Sequence, residues 1–70
     1  METISQRIKY FLFLKKKRHV EMAHLLNINV QQFNNWCNNT KPSIEGVIKL
    51  LEYFPDLSAR WLLTGQGEPT

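Results

Sequence analysis

Seventy residues leave room for one domain with a core just large enough to fold alone, and 43% apolar residues with 11% aromatics exclude a disordered tail. One cysteine, Cys37, excludes an internal disulfide and a multi-cysteine zinc site, and suits a reducing cytoplasm. The net charge of +3 is split: Arg7, Lys9, Lys15, Lys16, Lys17, Arg18 and Lys41 face only Glu2 and Glu21 in residues 1–42, whereas Lys49 and Arg60 are outnumbered by Glu45, Glu52, Asp56 and Glu68 beyond them.

Thr3-Ile4-Ser5-Gln6 has the spacing of a capping box, a hydroxyl followed three residues later by an amide. It predicts a helix carrying Ile4, Ile8, Phe11 and Leu12 on one side and fading into the basic run Lys15 to Arg18. A second helix is expected from His19 to Leu26, offering Met22, Ala23, Leu25 and Leu26 to a core, with Asn27 suited to a left-handed end. Asn29 opens a third helix, with Gln32 completing another possible capping box, and Phe33 and Trp36 form its inward stripe. Ser43 caps a fourth, in which Ile44, Val47, Ile48 and Leu51 follow helical spacing, Gly46 weakens the helix, and Pro55-Asp56 ends it. Ser58 caps a fifth, Ala59 to Thr64, closed by Gly65. The expected fold is all-α, a bundle of about five short helices, since no segment alternates with period two.

The second and third helices are separated only by Asn27-Ile28-Asn29, and a turn this short forces the steep crossing of a helix-turn-helix. Ala23 is small where the two helices come closest, and Ile28 can plug the corner. From Asn29 to Asn39 there is no formal charge, and Val30, Gln31, Asn34 and Asn35 point away from Phe33 and Trp36. Asn is a poor helix former, so an exposed face of amides is better explained by base reading: Asn and Gln pair bidentately with adenine, and Val30 can pack on a thymine methyl. The plainer alternative is an ordinary polar surface, which is more usually built from Glu and Lys.

These residues resemble the lambda-repressor-like (XRE) helix-turn-helix domains over nearly the whole chain. The resemblance runs through Arg7-Ile8-Lys9, Met22-Ala23, Ile28, Phe33, Asn35-Trp36 and Lys41-Pro42-Ser43 to Trp61-Leu62-Leu63-Thr64-Gly65-Gln66-Gly67, an ending similar to that of phage-repressor-like and Bacteroidetes members. It implies a recognition helix over residues 30–38, with base contacts from Val30, Gln31, Asn34 and Asn35. Phosphate contacts are implied for Lys17, Arg18, His19, Gln32, Asn39, Thr40 and Lys41. The chain departs from the family at Arg18-His19, where Ser-Gln is usual, at Lys16-Lys17, where Gly-Leu is usual, and at Asn27 and Asn39, which replace glycines. Residues 1–66 would form the domain and 67–70 a tail or the start of a linker to a further region. The partner is double-stranded DNA, bound by a homodimer joined through the Trp61 region or a C-terminal segment. The implied role is transcription regulation, most simply repression.

Other readings find less support. His19 and His24, five apart, do not share a helix face as a zinc pair would, so no metal, cofactor or catalysis is expected. Tyr10 to Leu14 is too short to cross a bilayer, and a membrane-surface helix would need Phe11 and Leu12, which so small a core cannot spare. No small-molecule ligand is evident. The competing reading is a protein-interaction or dimerisation module, or an antitoxin, because Trp61, Leu62 and Leu63 cannot all be buried by a core of this size.

Overall fold

The computed structural model describes residues 3–38 and 40–70. Among these residues lie five α-helices and no strand: α1 (Ile4–Leu14), α2 (His19–Leu26), α3 (Val30–Asn38), α4 (Ile44–Tyr53) and α5 (Ala59–Thr64). The starts of α1, α4 and α5 are side-chain caps of the kind the sequence predicts. The Thr3 hydroxyl accepts from the Gln6 backbone N–H at 3.1 Å while the Gln6 side chain accepts from the Thr3 N–H at 3.2 Å. Ser43 and Ser58 accept from the Gly46 and Trp61 amides, each at 3.1 Å. At α3 the cap differs in detail: Asn29 Oδ1 accepts from the Gln31 N–H at 2.7 Å, one position earlier than a box with Gln32 requires.

Two helix ends share one geometry. After α1, Lys17 and Lys16 donate back to the Leu12 and Phe13 carbonyls, both at 3.1 Å, around a left-handed Lys16 with φ 56°. After α2, Ile28 and Asn27 donate to the Ala23 and His24 carbonyls at 3.0 and 3.1 Å around a left-handed Asn27 with φ 57°. Both are Schellman closures, which satisfy orphan carbonyls and turn the chain sharply. The second forms the corner of the helix-turn-helix, with Ile28 partly buried against the core as its plug.

Packing centres on α3, against which both α1 and α2 lie, while α5 packs on α1 and α4 on α2. Phe11, Met22, Phe33, Leu50 and Leu62 are the largest fully buried side chains. Phe11 meets Phe54 edge-on with ring centroids 5.2 Å apart. Arg7 is buried, and its Nε donates to the Leu62 carbonyl at 2.7 Å. A cation thereby sits at the C-terminal end of α5 and ties that helix to α1.

One expectation needs correction and one is met in part. The inward face of α4 is Gly46, Val47 and Leu50, whereas Ile44 and Ile48 are 70% and 46% exposed. The stripe is rotated because Trp36 of α3 approaches the α4 backbone at Gly46, and Phe54 beyond the helix end extends the same buried row. Trp61, a candidate dimer contact, is buried beside Tyr10, and Leu62 is buried with it; Leu63 is the half-exposed member of that trio. The tail folds back, since the Ser58 N–H donates to the Pro69 carbonyl at 2.8 Å.

Candidate nucleic-acid interface

The outer surface of α3 is fixed from inside. Phe33, Trp36 and Cys37 are buried on one side, and the Trp36 ring lies so close to α4 that a Cβ on Gly46 would come within 2.5 Å of it. Burial pushes the Cys37 thiol up to about 11, so it is a protonated, space-filling group and no nucleophile at neutral pH.

With that side occupied, Gln31, Asn34 and Asn35 face outward, with Val30 at one margin, 41% exposed. Gln31 Nε2 donates to Asn35 Oδ1 at 3.4 Å, one turn apart, so these two amides are already aligned. Asn34 is half-buried and lies 2.6 Å from His19 Nδ1 through its Oδ1. Asn38, not among the expected contacts, belongs to this face: it is exposed, and its Nδ2 donates to the Asn34 carbonyl at 2.9 Å. Its spacing of four from Asn34 and seven from Gln31 is the signal by which the sequence could have shown it. The face presents amide donors and acceptors without a formal charge, which is the chemistry that reads base edges.

The expected phosphate-contacting residues divide into three groups. Lys17, Arg18 and His19 form the turn into α2, beside the amide face through the His19–Asn34 contact. Arg18 is highly exposed; its backbone N–H donates to Glu21 at 3.0 Å, and that bond, with the charges of Arg18 and Lys17, holds the Glu21 carboxyl below its usual range. Thr40 and Lys41 follow α3 and are exposed, and the Thr40 N–H donates to the Asn35 carbonyl at 2.9 Å. Asn39 lies outside the described residues. Gln32 stands apart, exposed at the margin of a shallow groove shared with Asn27, Gly46 and Lys49, on the side toward α4.

Not every base of the N-terminal run is available. Lys15 Nζ is 2.6 Å from Asp56 and lies over the Phe11 and Phe54 rings at 5.5 and 5.8 Å, and its hydrogen bond lowers the Asp56 carboxyl from its ordinary value. Arg7 is buried against α5. Of the other N-terminal bases, Lys9, Lys16, Arg18 and Lys41 are exposed and Lys17 is half-buried; the His19–Asn34 contact sets the Lys17–Arg18 turn beside the amide face, and Lys41 shares a groove with Asn38. Among the described residues, no group of His, Cys, Asp and Glu could hold a metal, and no helix is long and apolar enough to cross a membrane.

No family profile and no solved structure matches the chain. It is similar to the Repressor protein CI of Enterobacteria phage phi80, at 35% identity over 69 residues, 99% of this chain and 29% of that protein. The chain thus spans under a third of the relative it matches. All-helical architecture among the described residues, the left-handed corner between α2 and α3, and this alignment over nearly its whole length together make the chain similar to the lambda-repressor-like helix-turn-helix domains.

Proposed function

We propose that this domain binds double-stranded DNA sequence-specifically, as the DNA-reading part of a prokaryotic or phage transcription repressor acting in the cytoplasm and without catalytic activity. The observation that carries the reading is the uncharged amide face of α3 between two cationic ends, Lys16 to Arg18 and Lys41. The similarity to a protein named a repressor supports the regulatory role.

In the proposed complex α3 enters the major groove. Gln31 and Asn35 read adenine edges, Val30 packs on thymine methyls, and Asn34 and Asn38 complete the face. Phosphate contacts from Lys17, Arg18, His19, Thr40 and Lys41, with Asn39 beside them, set the register without specifying sequence. Gln32, toward α4, reaches the backbone only at the margin. A single domain of this size binds weakly, so a homodimer would read two half-sites about 34–36 Å apart or a multiple of that distance.

Selection from a random duplex pool tests the base-reading assignment. The wild-type domain should enrich an A·T-containing motif that the Gln31→Ala/Asn35→Ala variant, still folded, no longer enriches. Equal enrichment by that variant would place recognition elsewhere.

A further inference from the structure

His19 and Asn34 are fifteen residues apart, on different helices, yet their side chains meet at 2.6 Å. The imidazole stands edge-on to Phe33 at a centroid distance of 5.7 Å and 86° between planes, and Phe33 is fully buried, so the ring rests on a fixed wall. A contact this short requires one partner to supply a proton, and the ring decides which. If Nδ1 carries hydrogen, it donates to the Asn34 carbonyl oxygen, and the amide turns its NH₂ outward. If Nδ1 is bare, it must accept from the Asn34 NH₂, and the carbonyl oxygen turns outward instead.

We infer that His19 is a positioning residue that sets which end of the Asn34 amide faces the major groove, so that protonation of this ring changes the base the domain prefers. The inference rests on the DNA-reading function proposed above. A phosphate at the start of α2 requires Nε2 to be a donor. The doubly protonated ring meets that need with Nδ1–H also donating, which presents the Asn34 NH₂ to acceptors such as thymine O4 or guanine O6. The neutral ring meets it only with Nδ1 bare, which presents the Asn34 oxygen to donors such as adenine N6 or cytosine N4.

The charged surroundings let DNA tip this balance. On the turn into α2, Lys17 and Arg18 oppose a further positive charge, as does the helix N-terminus, while Glu21 is engaged by Arg18. From α3, Val30 to Asn38 bring no formal charge. From α4, Lys49 and Glu52 lie beside Leu25, Leu26 and Asn27, at the far end of α2. A DNA phosphate would be the main new negative charge, so binding favours the protonated ring and strengthens as pH falls.

The test pairs binding-site selection at pH 6 and pH 8 with side-chain amide NMR of the domain bound to duplex DNA. The expected result is a preference at one position per half-site that moves by about tenfold between the two pH values, from thymine or guanine toward adenine or cytosine. His19→Gln should abolish that shift while His24→Gln, exposed elsewhere on α2, retains it. In the DNA complex the Asn34 NH₂ signals should follow ring titration and cease to do so in His19→Gln. An identical motif at both pH values, or a shift that survives His19→Gln, overturns the inference while leaving DNA reading intact. Asn34 signals in the complex that are indifferent to ring protonation overturn it as well. Absence of DNA binding at every pH overturns the readout, and with it the function on which it rests.

Discussion

Three positions show how a single side chain settles local structure. Gly46 has no Cβ because the Trp36 ring occupies its place, 2.5 Å from where that carbon would sit. Its low helix propensity is therefore the lesser effect. Gly46→Ala should gain helix propensity yet lose about 1–3 kcal/mol net in urea unfolding, since the ring and the helix backbone must move apart. An unchanged midpoint would show the contact to be slack. Lys16 is the opposite case, a side chain held at φ 56° where a glycine carries no steric penalty. Lys16→Gly should raise stability by about 1 kcal/mol, visible as a higher denaturation midpoint with the slope unchanged. Cys37 titrates in the unfolded chain at its ordinary value and in the folded domain at about 11, because burial disfavours the thiolate. Its folded value is raised, so its contribution is fully present below the unfolded value and is lost as pH rises through about 11. Alkylation at pH 8 should be slow in the native domain and fast in urea.

At the scale of elements, what was readable depended on how local the cause was. The starts of α1, α4 and α5 and the corner after α2 were legible, because each depends on a side chain and backbone groups within a few residues of one another. The facing of α4 was not. Ile44, Val47, Ile48 and Leu51 form one helical stripe, but Val47, Leu50 and Phe54 form another rotated from it, and periodicity alone does not choose between them. The choice is made by Trp36, which needs Gly46 on the inner side. Leu50→Ala should cost about 2–5 kcal/mol by leaving a cavity, whereas Ile44→Ser, at a 70% exposed position, should shift stability by under about 0.5 kcal/mol. Reversal of that order in thermal or urea unfolding would restore the stripe read from spacing. On α3 the amide face was legible in full except for Asn38, and the Gln32 capping bond was displaced by one position to Gln31.

At the scale of the whole molecule, the charge split read from the sequence survives in thinner form. Two of the N-terminal cations have partners that only folding supplies: Arg7 meets the Leu62 carbonyl 55 residues away, and Lys15 meets Asp56 at a separation of 41. No count along the chain separates these from Lys16, Arg18 and Lys41, which are exposed, and Lys17, which is half-buried. In the proposed complex the cationic ends and the amide face of α3 would act as one surface, its margins attracting phosphates and its centre reading bases.

Fluorescence anisotropy of the domain on duplex DNA across a salt series, beside a Lys17→Ala/Lys41→Ala variant, tests this arrangement most directly. Affinity should fall linearly with log salt, and the variant should bind more weakly to every sequence, with a slope shallower by about two. A folded domain that binds no duplex at low salt, or a variant with the wild-type slope, would contradict the placement of the DNA-binding surface around α3.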